Sequence, residues 1–236
     1  MTNDIINYHS NMVRALAKSG DTIAAELTGE DAHMLHMAVG VCGEASELLD
    51  AVSANDDGAP LDYKNILEEL GDLEFYMEGV RQACSISRED CLHMISMHEP
   101  LALMRSSVGI CIWSGHLIDA VKKRAIYRKA LDLAAVKNAL EHLEYGIAGV
   151  RHSLDFTREE CLEANIQKLG KRYEGMRYSD VAAQVRADKV VDVVPASMSG
   201  LVNSAPPKYV KDEGNEAQPP SIVRELAAHM SHGDIR

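Results

Sequence analysis

An internal repeat constrains the fold of this chain more than any other feature of its sequence. The segment VGVCGEASELLDAV at 39–52 matches VGICIWSGHLIDAV at 108–121, and seven of the fourteen positions are identical. The segment GVRQACSISREDCL at 79–92 matches GVRHSLDFTREECL at 149–162 with the same count, and the two offsets are 69 and 70. Two matching blocks at a nearly constant offset indicate a duplicated unit of about 70 residues.

The pattern within each copy predicts helices. Apolar residues recur at the spacing of one helix face from Met34 to Val52, and further helices are expected at about 5–18, 62–84 and 87–99. One copy alone would bury too little apolar surface to be stable. We therefore expect an all-α fold, a helical bundle in which the two repeats pack against each other as a pseudo-dimer.

Three regions follow from the repeat and from the composition of the chain. We predict a first repeat with an N-terminal helix at 1–99, a second and divergent repeat at 100–178, and a flexible tail at 179–236. The tail is rich in Pro, Ser, Gly and charged residues, a composition that does not favour a packed core. Within it, 185–194 and 221–230 are candidates for short ordered pieces.

Composition and charge exclude several classes of function. The net charge of −12 argues against binding to long nucleic acid, because an acidic surface repels phosphate. The sequence shows no apolar run long enough for a membrane span and no signal peptide. None of the five cysteines forms a CxxC pair, which favours reduced thiols. We therefore expect a cytoplasmic protein without membrane partners.

Four carboxylates occupy otherwise apolar helical segments. Glu44 and Glu47 are three residues apart and share one helix face, and Glu69 and Asp72 have the same spacing on the next helix. In an antiparallel hairpin these four side chains converge. Four unpaired anions in an apolar interface would be very costly, whereas a hard divalent cation makes them tolerable. The pattern predicts a site for Mg²⁺, with Mn²⁺ as a second candidate, although a solvated helix face is the plainer interpretation of either pair alone.

The second copy lacks all four acids and keeps the apolar frame around them. Trp113, His116, Ala139 and His142 stand at the corresponding positions. Packing therefore does not require the acids, which favours a chemical role for them. The two histidines are either a pair of ligands for a soft metal or ordinary packed residues. For Trp113, stacking on a nucleotide base and a place in the core both stay open.

Three other acids of the first copy receive structural or solvent-facing roles. Asp50 has a counterpart in Asp119 of the copy that lost the other acids, so we expect it to serve the scaffold, with a direct metal role as the second interpretation. Glu68 and Glu74 are expected to face solvent, although Glu68 adjoins Glu69 and is a second candidate as a ligand.

These motifs resemble those of the MazG-like all-α nucleoside triphosphate pyrophosphohydrolases, particularly the compact forms common in phages. The resemblance rests on GEASELLDAV and EELGDLEFY, which carry an ExxE motif followed by an ExxD motif, and it covers roughly 5–178. It implies Mg²⁺-dependent hydrolysis of a nucleoside triphosphate to the monophosphate and pyrophosphate, with the four acids as metal ligands and catalytic residues. It also suggests a phage-encoded protein that acts in the host cytoplasm.

Two features that such proteins normally carry in one protomer are split between the copies here. The basic, aromatic loop and the closing NxxKLxxRY-like segment occur only in the second copy. The resemblance therefore implies one composite site, in which the first copy holds the metal and the second binds the triphosphate; a solvated loop and an ordinary helix end are the plainer interpretations. The implied substrate-binding residues are Lys122, Lys123, Tyr127, Lys129, Asn165, Lys168, Arg172 and Tyr173, with His36 near the base.

Other functions also fit the sequence. A protein that sequesters a nucleotide without hydrolysing it, a helical interaction module and a different nucleotide hydrolase each agree with these motifs. The preferred base and sugar do not follow from the residues, and further homodimerisation of the fused pseudo-dimer is a candidate assembly.

Overall fold

The computed structural model describes residues 2–56, 58–173, 175, 177–186 and 188. They belong to the first of the two compact units into which the chain divides, Met1–Val191. Every regular element within these residues is a helix, and no strand occurs among them, which confirms the all-α prediction. None of these helices has the length and apolar composition that a membrane span needs. The candidate helix at 221–230 and most of the 185–194 segment lie outside the described residues.

The first half of the chain contains a long helical hairpin. Its second helix begins at the cap Asp62, whose carboxylate accepts a hydrogen bond from the Asn65 amide at 3.1 Å, and ends at Ser85 in the left-handed conformation (φ 54°). The helices of this half are α1 (Thr2–Leu16), α2 (Gly20–Glu26), α3 (Gly29–Asp56), α4 (Tyr63–Cys84), a 3₁₀ turn (Glu89–Cys91) and α5 (His93–Met97).

The second half contains a hairpin with the same local signals. Asp132 caps its second helix through the Ala135 amide at 3.0 Å, and Asp155 ends it at φ 57°. The helices are α6 (Leu103–Ala125), α7 (Leu133–Leu154), α8 (Arg158–Arg172) and α9 (Asp180–Val185). Because α9 is capped by the Ser179 hydroxyl, the predicted start of the tail at 179 falls before the last described helix.

The core lies between the two hairpins. Helix α3 packs against both α4 and α6, and α6 packs against α7. Leu48, Leu70, Leu117 and Leu140 each contribute a fully buried side chain from one of these four helices. Burial of such side chains supplies most of the driving force for folding, at roughly 25 cal/mol per Å² of apolar surface.

The helical segment that follows each hairpin packs on the hairpin of the other half. Helix α8 lies on α4, while the 3₁₀ turn and α5 lie on α7. At the crossing of α8 and α4, a side chain on Gly71 would come within 2.4 Å of the Cys161 carbonyl oxygen. Glycine at this position therefore lets α8 approach the backbone of α4 directly beside Asp72, which brings residues of the second half to an acid of the first.

The contacts between α3 and α6 are reciprocal. The Cys42 thiol donates to the Ser114 carbonyl at 3.3 Å, and the Cys111 thiol donates to the Ala45 carbonyl at 3.1 Å. The two antiparallel helices thus exchange contacts between positions that correspond in the sequence repeat. All five cysteines are free thiols, as the sequence predicts.

A buried cluster of charges joins the two halves near the crossing of α4 and α7. Arg158 holds both carboxylate oxygens of Glu74 at 2.9 and 3.0 Å, and Arg151 adds a third contact at 3.1 Å. Arg88 and Arg81 hold Glu144 in the same way, at 2.8 to 3.1 Å. The prediction that Glu74 faces solvent is therefore wrong, since only 1% of this residue is exposed.

Candidate active site

Three of the four predicted metal ligands converge between α3 and α4. Each of Glu44, Glu47 and Glu69 offers a carboxylate oxygen, and these oxygens lie within 4.8 Å of one another. Glu44 is half-buried, Glu47 is exposed, and Glu69 is only 2% exposed. The cluster therefore opens to solvent on the side of Glu47 and ends in the core at Glu69.

This cluster is electrostatically strained. Burial raises the pKa of Glu44 to about 8, and a hydrogen bond with Glu69 and the charges of Asp72, Glu69 and Glu47 add to the rise. Burial also raises the pKa of Glu69. Like charges held this close cannot all ionise freely, so the group prefers to share a proton or a cation.

The donor set fits a hard divalent cation. All three side chains present carboxylate oxygens, the ligands that Mg²⁺ and Mn²⁺ favour. A second observation also favours a cation here. The Oε2 atom of Glu69 is buried and has no hydrogen-bond partner among the described residues. Buried carboxylate oxygens normally have partners, and a cation bound by Glu44, Glu47 and Glu69 would supply one.

Asp72, the fourth predicted ligand, is bound differently. Its Oδ1 atom accepts a hydrogen bond from the Asn165 side-chain amide at 2.7 Å, and its Oδ2 atom forms an ion pair with Lys168. Burial alone would lower the pKa of Lys168, but Asp72 and the charges of Glu69 and Glu44 raise it. Asp72 therefore binds α8 instead of joining the three glutamates, because Gly71 lets α8 come close.

A cavity of about 730 Å³ opens over the acids. Glu44, Glu47 and Asp72 are among its lining residues, and so are Lys168, Arg172 and Arg186, which carry positive charge. The acids come from α3 and α4, whereas Lys168 and Arg172 come from α8. The cavity thus brings carboxylates of the first half together with positively charged side chains of the second.

Aromatic and imidazole side chains form the rest of the cavity wall. The predicted residues His36 and Tyr173 lie there, together with Phe75, Tyr76 and Tyr178, which the motifs do not single out. The rings of His36 and Tyr76 meet edge to face with their centroids 6.1 Å apart. A side chain at position 40 would overlap the Tyr76 ring, so Gly40 allows this ring to pack directly against α3.

The structure does not bring the predicted basic loop to this cavity. None of Lys122, Lys123, Tyr127 and Lys129 is among its lining residues. Lys122 and Lys123 instead form ion pairs with Asp119 at 2.9 and 2.7 Å on the exposed end of α6. The plainer interpretation of a solvated loop fits these contacts better than binding of a triphosphate.

Neighbouring arginines explain where the loop goes. Arg124 and Arg128 both bind Asp31 at the start of α3, and the Arg124 contact is 2.9 Å long. Burial alone would raise the pKa of Asp31, but these arginines and Thr28 lower it to about 2. The loop is therefore held at the N-terminal end of α3.

Three of the four positions in the second copy that correspond to the acids form a cluster of aromatic rings. The Trp113 ring stacks on His142 with centroids 3.7 Å apart and an interplanar angle of 21°. The His116 ring lies 4.8 Å from the same tryptophan. His142 also bonds to the Asn138 carbonyl at 2.8 Å. This packing favours structural roles for both histidines, and Trp113 does not line the cavity over the acids.

Comparison with known protein families, curated proteins and solved structures finds no match to this chain. The geometry of the cavity and the resemblance of its motifs therefore carry the functional argument.

Proposed function

We propose that the protein is a Mg²⁺-dependent nucleoside triphosphate pyrophosphohydrolase that converts a ribo- or deoxyribonucleoside triphosphate to the monophosphate and pyrophosphate. The observation that carries this proposal is the cavity of about 730 Å³, which is lined by two members of the three-glutamate cluster, Glu44 and Glu47, and by three cationic side chains. A triphosphate needs both kinds of group, because its charge is neutralised by a metal ion and by Lys or Arg donors.

The proposal includes a fused pseudo-dimer of two MazG-like repeats with a single composite site. The reciprocal thiol contacts of Cys42 and Cys111 support it, as do the matching arginine contacts of Glu74 and Glu144. Equivalent groups that exchange equivalent contacts are what a two-fold interface produces. In this arrangement α8 of the second repeat completes the site of the first, while the aromatic cluster around Trp113 fills the other site.

In this proposal, different residues bind the metal ion and the phosphates. Glu44, Glu47 and Glu69 would hold Mg²⁺, which supplies Lewis acidity at the phosphate oxygens and lowers the pKa of a water. Lys168 and Arg172 bind and orient the phosphates and offset the charge that develops on the leaving pyrophosphate. Asp72 holds Lys168 in place, and Asn165 fixes the other oxygen of Asp72.

One of the three glutamates also accepts the proton of the attacking water. Glu47 fits this role by its exposure, since the other two glutamates are more deeply buried. The ring of Tyr76 and the imidazole of His36 shape the wall against which the nucleoside packs.

A screen of ribo- and deoxyribonucleoside triphosphates with Mg²⁺ tests the activity directly. Monophosphate and pyrophosphate in equal amounts support the proposal, and release of inorganic phosphate contradicts it. Tight binding with the triphosphate left intact would favour a nucleotide-sequestering protein instead. The absence of both binding and turnover would leave an interaction module as the better interpretation.

Stabilisation by Mg²⁺ should depend on pH. Because the pKa of Glu44 is raised to about 8, the folded protein holds a proton there that the cation must displace. Affinity should therefore tighten by up to about tenfold per pH unit between pH 6 and pH 8. Because a ligand of the folded state raises the apparent stability, the thermal shift caused by a fixed concentration of Mg²⁺ is expected to be larger at pH 8 than at pH 6.

The sign of this effect follows from linkage. A folded-state pKa above the unfolded value of 4.5 means that the protonated Glu44 favours folding at acid pH and that this contribution is lost as the pH rises through 8. The cation replaces the lost proton. A Glu44→Gln variant should reduce the pH dependence to the part that comes from Glu69, and an equal shift at pH 6 and pH 8 in the wild type would contradict the prediction.

A further inference from the structure

Arg172, a cationic group of the proposed phosphate site, is already occupied by an acid of the same chain. Its Nε atom donates to Oδ1 of Asp188 at 2.7 Å, and its Nη2 atom donates to Oδ2 at 2.7 Å. Only 2% of the Asp188 side chain and 15% of the Arg172 side chain are exposed. The contact is therefore a complete, largely buried fork between a guanidinium and a carboxylate.

The segment that carries Asp188 also contributes to the cavity. Tyr178 and Arg186 both line it, as does Arg172. The Arg186 guanidinium lies 3.9 Å from Oδ2 of Asp188, so the carboxylate bridges two arginines of the wall. The Arg172 fork, with Arg186 adding to it, holds the pKa of Asp188 at about 2, and the group is an anion throughout the physiological range.

A carboxylate and a phosphate engage arginine in the same way. Both offer two oxygens at a spacing that matches two parallel N–H donors of the guanidinium. An arginine whose Nε and Nη2 donors are held by Asp188 cannot give the same pair to a phosphate. Asp188 therefore takes the position that a phosphate of the ligand would take at Arg172.

We propose that Asp188 is an intramolecular competitor of the anionic ligand, which holds Arg172 when the cavity is free and must be displaced when a phosphate chain binds. This inference rests on the proposed function in assigning the cavity to phosphates. Asp188 is tethered to the site and competes at a high effective concentration. A single phosphate contact would not displace it, so the site favours ligands that also engage the metal and Lys168.

The competing interpretation is that Asp188 only anchors its segment to α8 and preserves the cavity wall. The two interpretations predict opposite changes in affinity. Loss of a competitor tightens anion binding, whereas loss of an anchor disorders the wall and weakens binding.

Calorimetric titration of the full-length protein with inorganic pyrophosphate in Mg²⁺ buffer separates them. An Asp188→Asn variant is expected to bind pyrophosphate about five- to tenfold more tightly than the wild type, because one charge-assisted pair no longer has to be broken. Asp180→Asn is the matched control: Asp180 accepts a hydrogen bond from Tyr178 at 2.9 Å in the same segment and makes no contact with Arg172 in the described structure. Unchanged or weaker binding by Asp188→Asn overturns the proposal.

A second variant tests whether the effect passes through Arg172. In an Arg172→Gln background, Asp188→Asn should change pyrophosphate affinity by less than about twofold, because the competition has lost its target. An equal gain in both backgrounds would mean that Asp188 acts only through its overall charge, which also overturns the proposal.

The readout keeps this inference separate from the proposed activity. Pyrophosphate binding does not depend on turnover or on the preferred base. Tighter binding by Asp188→Asn in a protein that hydrolyses no triphosphate would sustain the competitor and reject the hydrolase. A wild type that hydrolyses triphosphates, with no gain in the variant, would reject the competitor alone.

Discussion

A Glu69→Gln variant is expected to lose at least about 100-fold in Mg²⁺-dependent pyrophosphate release, and to unfold at a higher temperature than the wild type when no divalent cation is present. The loss of activity follows because the amide removes one negative charge from the three-glutamate cluster and binds a hard cation poorly. A 100-fold loss corresponds to about 2.7 kcal/mol of transition-state stabilisation.

The gain in stability has a separate cause. Glu69 is buried, its pKa is raised by that burial, and its Oε2 atom has no hydrogen-bond partner among the described residues. Above the unfolded pKa of 4.5 this carboxylate weakens the folded state, so a neutral isostere should help most near pH 8 and little at pH 4. Function maintained at the expense of stability is common at active sites.

Glu68→Gln is the control for both measurements. Glu68 precedes Glu69, pairs with Lys64 at 3.6 Å and lies partly exposed on α4. It should change neither turnover nor melting temperature appreciably, because exposed pairs of this kind contribute little. Wild-type turnover in Glu69→Gln would exclude the cluster as the metal site, and turnover lost in Glu68→Gln alone would move the ligand by one position.

Local sequence patterns are sufficient to predict most of the helices. The apolar spacing in α3, the Asp62 cap of α4 and the turn after Cys84 are signals between neighbours in the chain, and each element was predicted close to its observed bounds. The convergence of Glu44, Glu47 and Glu69 follows from the same logic, since helical spacing fixes the face and a short loop makes the hairpin antiparallel.

The features that the sequence did not predict depend on contacts between residues that are distant in the chain. Nothing local shows that α8 crosses to α4, and this crossing is what pairs Lys168 with Asp72 instead of leaving Asp72 to a metal. The predicted position of the basic loop differs from the observed one for a similar reason. Asp31, which is distant in sequence, binds Arg124 and Arg128 and holds the loop away from the cavity. Asp188 was not predicted because it lies in a segment whose composition is that of a tail.

The burial of Glu74, in contrast, could have been predicted from the sequence, because the repeat indicates it. The positions of Glu74, Arg81 and Arg88 correspond to Glu144, Arg151 and Arg158, and all three residue types are retained in both copies. Charged residues that occur in both copies, although the second copy lacks Glu44, Glu47, Glu69 and Asp72, indicate a shared structural contact. The helical position of Glu74, taken without the repeat, predicts a solvent-facing side chain.

A Glu74→Gln variant is expected to destabilise the protein by about 3–5 kcal/mol, the cost of leaving a buried ion cluster without one of its acids. Arg151 and Arg158 would lose the carboxylate that both bind, and the substituted side chain itself is buried between the two halves. Had Glu74 faced solvent, the same change would cost less than about 0.5 kcal/mol.

Urea unfolding followed by circular dichroism measures this free energy, with Glu68→Gln on the same helix as the control. The effect should also depend on pH. Burial alone would raise the pKa of Glu74, but Arg158, Arg151 and Arg88 outweigh it and lower the pKa, so the stability that Glu74 provides is present above pH 4.5 and lost as the pH falls further. The difference between wild type and Glu74→Gln should therefore be largest near pH 7 and shrink in acid. A difference below about 1 kcal/mol at pH 7 would mean that the arginines of the cluster are satisfied without this acid.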